Sequence, residues 1–247
     1  VKDLTPAQRR GALRAISVIK EKRCGRIKGR TVADGRKQKN LYTKEETASP
    51  TVSTDAPMLS ILIDAAERRD VATADVRGAY LHALLKDFTL LKLEGDSVNI
   101  MCNVCEKYRD FVTYENGKKV LYLQLLKALY GCVKSALLWY ELFTGTLKEM
   151  GFELNPYDTC VANKMVDGKQ CTIAWFVNDN KISHVDPKVV TGVIEKIEER
   201  FGEMTVTRGK EHVFLGMHIT YLDNGTAEIR MSDYVRECIE EFGESVT

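Results

Sequence analysis

Apolar positions along the chain follow two spacings, and each spacing predicts one kind of element. Residues 5–23 carry apolar side chains at a weak helical spacing, and residues 54–69 carry them at a clearer one. Thr54 or Asp55 is a suitable N-cap for the second helix, because either side chain can accept a backbone hydrogen bond. The apolar residues that share one face of this helix are Met58, Leu59, Leu62, Ile63 and Ala66. Short β-type runs follow at residues 71–75 and 89–93.

Three turn signals, each flanked by β-type runs, predict antiparallel hairpins. They are Asn116-Gly117, Asp167-Gly168 and Asn224-Gly225. Helical spacing returns at residues 133–150, 187–201 and 232–242, with Ser232 as a good N-cap for the last. A strict alternation of strands and helices is absent. The sequence therefore predicts an α+β fold, with helices packed on one face of an antiparallel sheet.

The composition is that of a globular protein. The 247 residues are 44% hydrophobic and 29% charged, which supports a substantial core in one large domain or two small ones. No run of about 18 apolar residues is present, so we expect no membrane-spanning helix. Because the first residue is Val1, we expect a piece of a longer polypeptide.

The cysteines favour free thiols over a disulfide framework. Seven are scattered along the sequence, an odd number that indicates a reducing, intracellular compartment. Cys102 and Cys105 have the spacing of a zinc-binding pair, but the sequence holds no second pair of that kind. Incidental cysteines are the favoured interpretation.

Basic residues are concentrated at one end of the chain. Residues 1–44 hold fourteen Lys and Arg against three acidic residues, whereas the net charge of the whole chain is +1. Such a block is typical of proteins that bind phosphate or nucleic acid. A solvated basic arm without a ligand is an equally good interpretation of the charge alone.

Two short acidic segments carry the candidate chemistry. Residues 75–80 read DVRGAY and follow a buried strand, and residues 175–180 read WFVNDN at a predicted hairpin turn. A buried Asp at a strand end is costly unless it is paired, hydrogen-bonded or bound to a metal. Each segment alone has an ordinary alternative, because Asp75 could cap a helical turn and Asn and Asp are common in turns.

A third segment combines aromatic and basic residues. Residues 126–140 read LKALYGCVKSALLWY, in which a Tyr-Gly pair is followed by a Lys and an amphipathic helix. Aromatic side chains interleaved with basic ones suit the stacking of nucleobases.

Six segments in order resemble the reverse transcriptase domain of copia-type LTR retrotransposons. Beside the three above, they are residues 27–35 (IKGRTVADG), 47–52 (TASPTV) and 214–217 (FLGM). The resemblance spans almost the whole chain. It implies a truncated right-hand polymerase fold, with fingers at about 1–70 and 86–135, palm at about 71–85 and 136–230, and the start of a thumb at about 231–247.

The resemblance also implies a set of site residues. The catalytic positions would be Asp75, Asn178 and Asp179, with Asp75, Asp179 and the carbonyl of Val76 as ligands of Mg²⁺. The nucleotide-binding residues would be Lys28, Arg30, Gly78, Ala79, Tyr80, Tyr130 and Gly131. The primer grip would be Phe214, Leu215 and Gly216. Tyr80 would be the steric gate against a ribose 2′-hydroxyl. Lys210 is a weaker candidate for a proton donor, and a solvated loop lysine is its favoured interpretation.

The implied function is RNA-directed DNA polymerisation with two Mg²⁺ ions, which Mn²⁺ could replace. The partners would be an RNA or DNA template with its primer, deoxynucleoside triphosphates, and other domains of the same polyprotein. The expected location is intracellular, in the cytoplasm.

One departure from the family pattern bears directly on activity. Asn178 stands where the family has Asp, and an amide offers Mg²⁺ one neutral oxygen in place of a charged pair. We therefore expect a correctly folded enzyme with impaired catalysis. The alternative is a non-catalytic remnant that binds nucleic acid through its basic residues.

Overall fold

The computed structural model describes residues 3–21, 25 and 27–242. The helices are α1 (Pro6–Gly11), α2 (Asp55–Ala66), α3 (Asp96–Val104), α4 (Ser135–Glu149), α5 (Pro187–Phe201) and α6 (Ser232–Phe242). The strands are β1 (Leu13–Glu21), β2 (Ile27–Ala33), β3 (Asp70–Asp75), β4 (Leu84–Glu94), β5 (Thr113–Glu115), β6 (Lys118–Lys127), β7 (Glu153–Leu154), β8 (Val161–Val166), β9 (Lys169–Phe176), β10 (Asp179–His184), β11 (Thr205–Arg208), β12 (Glu211–Phe214), β13 (Met217–Tyr221) and β14 (Ala227–Arg230). Outside the described residues lie Cys24 and four members of the basic block, Lys2, Lys22, Arg23 and Arg26.

The chain divides into two compact units, each built from two stretches of sequence. The first comprises Val1–Ser49 and Tyr80–Glu141, and the second comprises Pro50–Ala79 and Leu142–Thr247. Helices and mainly antiparallel strands occur in both, so the predicted α+β class is confirmed. The finger, palm and thumb ranges stay predictions. Across the described part of the chain, every helix is too short or too polar to cross a bilayer.

The first unit contains a five-stranded sheet in the order β2-β1-β4-β6-β5. β1 runs parallel to β4, pairing Leu13 with Leu91, and the other neighbours are antiparallel. Helix α3 and the sheet enclose a core that includes Leu13, Leu91, Leu93, Val98 and Leu121. The predicted hairpin at Asn116-Gly117 is confirmed, and both turn residues have the positive φ of a tight hairpin turn.

The prediction of one helix over residues 5–23 is wrong for residues 12–21, and residues 22 and 23 lie outside the described part of the chain. Helix α1 ends at Gly11, and residues 13–21 form β1, which pairs with β2 along its length. The reason lies in the side chains. Ile16, Val18 and Ile19 are β-branched, which disfavours a helix, and partner strand β2 supplies the hydrogen bonds that a helix would have made internally.

The second unit contains a six-stranded antiparallel sheet in the order β11-β3-β10-β9-β8-β7. Helix α5 has the predicted bounds and buries one apolar stripe formed by Val190, Val193, Ile194, Ile197 and Phe201. Asp186 caps this helix by accepting a hydrogen bond from the Lys188 amide, and Pro187 occupies its first position. Phe143 of α4 packs edge-on against Trp175 of β9, with ring centroids 5.4 Å apart.

A second, three-stranded sheet, β12-β13-β14, completes this unit. The predicted hairpins at Asp167-Gly168 and Asn224-Gly225 are confirmed as the β8–β9 and β13–β14 connections. The buried side chains Phe214, Met217 and Ile219 of the small sheet pack against Ile61 of α2.

Helix α2 forms where the sequence predicts it, but the expected face and cap are wrong. Met58, Leu59 and Leu62 of the apolar face are exposed, whereas the buried positions are Pro57, Ser60, Ile61, Asp64 and Ala65. The Thr54 side chain makes no capping bond. Ser53 accepts a hydrogen bond from the Ala56 amide instead. Asp64 can lie on the buried face because a strand supplies its ionic partner. Helical spacing alone does not indicate that partner.

Candidate active site

Strand pairing brings the two predicted carboxylates together. Asp75 is the last residue of β3, Asp179 is the first residue of β10, and the antiparallel register places them directly opposite each other. Cross-strand partners project their side chains to the same face of the sheet, so the two carboxylates share one face at one sheet edge.

The turn between β9 and β10 contains only Val177 and Asn178, since Phe176 pairs with Asp179. Val177 has a φ of 56°, a backbone conformation that is strained for a β-branched residue. Three hydrogen bonds hold the turn in place beside the end of β3. The Val76 amide donates to the Asn178 carbonyl (3.0 Å), and the buried Asn180 Nδ2 donates to the carbonyls of Asn178 (2.9 Å) and Ala74 (3.3 Å).

Asn178 reaches across this turn to Asp75. Its amide Nδ2 donates a hydrogen bond to Asp75 Oδ2. An Asp at the same position would present a second negative charge there instead of a donor. The Asn178 amide therefore occupies one carboxylate oxygen of Asp75 with a hydrogen bond.

The pKa of Asp179 is raised by its surroundings, which include the charge of Asp75. Although Asp179 reaches solvent, partial burial raises the pKa of its carboxyl group, and the negative charge of Asp75 raises it further. Within the described residues no group of three or more His, Cys, Asp or Glu side chains is placed to hold a metal ion. Two facing carboxylates still repel each other in a way that a divalent cation relieves, so Asp75 and Asp179 fit one hard cation.

The segment after Asp75 turns sharply. Val76 and Ala79 are fully buried, and Gly78 has a φ of 63°, a conformation that glycine adopts without strain. Arg77 points outward and lies 3.7 Å from Glu203 in an exposed ion pair.

In the first unit, three predicted nucleotide-binding side chains contact one another in series. The rings of Tyr80 and Tyr130 have centroids 4.4 Å apart, and the Arg30 guanidinium lies 5.9 Å from the Tyr130 ring centroid. Partial burial, together with Tyr130, raises the pKa of Tyr80. Lys28 is exposed on β2, two residues before Arg30.

Gly131 follows Tyr130 where two backbone segments of the first unit cross. The Ala33 amide donates to the Tyr130 carbonyl (2.7 Å), and a Cβ on Gly131 would lie only 1.9 Å from the Ala33 carbonyl oxygen. A Cβ on Gly35 would lie 2.1 Å from the Gly131 carbonyl oxygen. Both glycines are required by this crossing, which joins the end of β2 to the Tyr130 loop.

The predicted primer-grip residues form the turn between β12 and β13. Leu215 and Gly216 are its two central residues, with φ values of 53° and 75°, while Phe214 is buried. Lys210 pairs with Asp223 at 2.5 Å, and both side chains are exposed. This is the environment of a solvated surface lysine.

Sequence reasoning missed a buried ionic network in the second unit. Lys181, two residues after Asp179, is paired with Asp64 of α2, and both side chains are fully buried. Burial lowers the pKa of Lys181, whereas the charge of Asp64 opposes that change. Tyr221 donates to Asp64 (3.2 Å), and Arg69 lies 3.9 Å away. The strand reads DNKISH, so a lysine among other polar residues gave no signal that it would be buried.

Comparison with known proteins gives the family. The sequence model of the family described as "Reverse transcriptase (RNA-dependent DNA polymerase)" matches residues 6–246. The chain belongs to this family, which confirms the reverse-transcriptase resemblance.

A relative comes from Saccharomyces cerevisiae and is named as a protein of transposon Ty5-1. It is 25% identical over 118 residues, which are 48% of this chain and 38% of the relative. The chain therefore matches well under half of that protein's length.

Two solved structures are also similar. An apo telomerase from Candida tropicalis aligns over 93% of this chain and 56% of its own, with 11% identity and a TM-score of 0.46. The protease–reverse transcriptase of prototype foamy virus aligns over 84% of this chain and 22% of its own, with 18% identity and a TM-score of 0.41.

Proposed function

We propose that this chain is the RNA-directed DNA polymerase domain of a copia-type retrotransposon, and that Asn178 impairs its catalysis. The family match supports the reaction class. The hydrogen bond from Asn178 to Asp75 is the observation that supports the impairment, because it occupies a carboxylate oxygen that the reaction needs.

Asp75, Asp179 and the Val76 carbonyl would hold Mg²⁺, or Mn²⁺ in its place. When bound, the ions would activate the primer 3′-hydroxyl and neutralise the triphosphate. The chain's own contribution is positional. Cross-strand pairing fixes Asp75 against Asp179, and Asn180 holds the turn that carries Asn178. Two carboxylates supply one negative charge fewer than the family's three.

The lost charge predicts a slower chemical step. A deficit of roughly 3–5 kcal/mol in transition-state stabilisation corresponds to a rate decrease of about 10²–10⁴-fold.

Nucleotide contacts would come from Lys28, Arg30, Gly78, Ala79, Tyr80, Tyr130 and Gly131, with Tyr80 selecting deoxynucleotides. Phe214, Leu215 and Gly216 would hold the primer. Other polyprotein domains would be partners, and the cytoplasm would be the location.

Primer extension on an RNA template with Mg²⁺ tests the proposal. We expect extension by the Asn178→Asp variant at least a hundredfold faster than by the parent chain, and none by Asn178→Asp combined with Asp75→Ala. The combined variant is the control that assigns the activity to this site. Equal rates for the parent chain and Asn178→Asp would contradict the impairment.

A non-catalytic role in binding nucleic acid is a second candidate. It is favoured by the Asn178–Asp75 hydrogen bond, which holds the turn without any cation, and by the basic residues of the first unit. Primer–template binding by the parent chain in EDTA, with no nucleotide incorporation in Mg²⁺ by either the parent chain or Asn178→Asp, would favour this candidate.

A further inference from the structure

A cavity beside helix α2 is separate from every residue assigned above to catalysis or nucleotide binding. Its volume is about 480 Å³, within the range of small-molecule sites. Its walls come from residues 53–63, Arg69, the 155–158 loop and strands β8 and β9, all in the second unit. We infer that it binds a neutral or cationic small molecule with an apolar body and one hydrogen-bonding end.

Ser60 provides the most direct support. Its side chain lines the cavity and is only 7% exposed, yet its hydroxyl oxygen has no hydrogen-bond partner among the described residues. A buried hydroxyl left unpaired destabilises a fold, and a ligand group that reaches it removes that loss. The hydroxyl can donate or accept, so it suits an amide or an amidine.

The polar floor of the cavity is already formed. Thr172 accepts hydrogen bonds from Arg69 (3.2 Å) and Gln170 (3.0 Å), and it donates to Asn163 (3.0 Å). Because these bonds use the full capacity of the Thr172 hydroxyl, the floor keeps its shape without a ligand. Among the buried side chains of the lining, Ser60 is the one whose hydroxyl has no partner among the described residues.

The walls and rim suit an apolar, flat ligand. Leu59, Ile63 and Val161 line the cavity, and Leu59 remains 60% exposed. Tyr157 also lines it and is 97% exposed, which is unusual for a large aromatic side chain. An aromatic ring at the mouth of an apolar cavity can stack on a planar ligand.

Charge selects the class of ligand. Asp55 and Asp158 line the cavity, and the only cationic residue in its lining, Arg69, is committed to Glu67 at 2.8 Å. Two carboxylates against one ion-paired guanidinium disfavour an anion relative to a neutral or cationic group. This argues against nucleotides and other phosphates, so the cavity is not a second nucleotide site.

The experiment uses three flat probes of nearly the same shape that differ in charge: 2-naphthamide, 2-naphthamidine and 2-naphthoate. Each is titrated into the intact chain, and dissociation constants are read from backbone amide NMR shifts of the lining residues. We expect 2-naphthamide and 2-naphthamidine to bind at the cavity, and 2-naphthoate to bind at least tenfold more weakly.

The variants test the role of Ser60. Ser60→Ala should weaken 2-naphthamide about fivefold, the change expected for one neutral hydrogen bond. Ser183→Ala is the matched control, because Ser183 also has a buried, unpartnered hydroxyl but lies outside the cavity. Leu59→Trp should block the mouth, and a preserved melting temperature would show that the variant is folded.

Three results would overturn the inference. They are no shift at the cavity with any probe, equal effects of Ser60→Ala and Ser183→Ala, and equal affinity for 2-naphthoate and 2-naphthamide. The first would mean that water alone occupies the cavity. None of these measurements depends on polymerase activity, so the inference can be tested independently of the proposed function.

Discussion

Lys181 is buried in the strand that begins with Asp179, and among the described residues its nearest counter-charge is Asp64. Removing Lys181 leaves Asp64 buried, with Arg69 at 3.9 Å as its more distant counter-charge, and we take the cost at the low end of the range for a broken buried pair, about 3 kcal/mol. We expect Lys181→Met to lower the free energy of unfolding by about that amount. Combining it with Asp64→Leu should recover most of the loss, because an apolar pair of similar volume fills the same space. Urea unfolding of the four proteins in this cycle measures both effects.

A second ion pair on the same sheet is the control. Arg208 and Asp70 are paired at the end of β11, but their side chains keep 33% and 23% exposure. Exposed pairs contribute at most about 1 kcal/mol, so Arg208→Met should cost much less than Lys181→Met. Equal losses for the two variants would mean that burial does not set the cost at Lys181.

The positions of individual residues were predictable where a short motif marks a strand end or a turn. Asp75 and Asp179 were singled out as a strand-end and a turn residue, and β3–β10 pairing places them opposite each other. The hydrogen bond from Asn178 to Asp75 was not predictable, since the sequence does not show which atom of an amide faces a neighbour. The Lys181–Asp64 pair joins residues far apart in sequence, and no local pattern connects them.

At the scale of the secondary-structure element, the crossing of two backbone segments explains why the Tyr130 loop has a glycine at position 131. Gly131 has a φ of 90°, and a Cβ there would overlap the Ala33 carbonyl. Gly131→Ala should therefore break the hydrogen bond from the Ala33 amide to Tyr130 and separate the end of β2 from this loop. We expect a loss of more than about 3 kcal/mol in unfolding free energy, read by urea unfolding, and faster hydrogen exchange of the Ala33 amide.

Gly117 is a matched control for the strain of a positive φ alone. Its φ is 75°, but a Cβ there would meet no atom within 4 Å. Gly117→Ala should cost only about 1–2 kcal/mol, the strain of a non-glycine residue in that conformation. If both variants lose the same stability, the close approach to Ala33 does not matter.

The elements were predictable where turns and long amphipathic patterns define them. Helix α5 and three hairpins have these signals and formed as expected. The predicted helix over residues 5–23 failed because a partner strand, not local propensity, decides the state of β1. Helix α3 was missed, since within it only Val98 and Cys102 are buried and its apolar stripe is short.

At the scale of the whole chain, the polypeptide passes from one unit to the other three times. The exchanges fall after Ser49, after Ala79 and inside helix α4 after Glu141. Hydrophobic spacing predicted α4 as one helix, and it is one. The same spacing cannot indicate that its two ends belong to different units, because that depends on contacts made by residues distant in sequence.

The melting temperature of the chain should depend on the charge at position 178. Asn178→Asp adds a third carboxylate beside Asp75 and Asp179, so repulsion should lower the melting temperature in EDTA. A ligand that binds only the folded state stabilises it by about 2.7 kcal/mol at a hundredfold excess over its dissociation constant. We therefore expect millimolar Mg²⁺ to raise the melting temperature of Asn178→Asp by several degrees, and that of the parent chain by much less. Asn178→Ala, which removes the amide without adding charge, is the control and should behave like the parent chain. Equal Mg²⁺ shifts for Asn178→Asp and Asn178→Ala would show that position 178 does not contribute to cation binding.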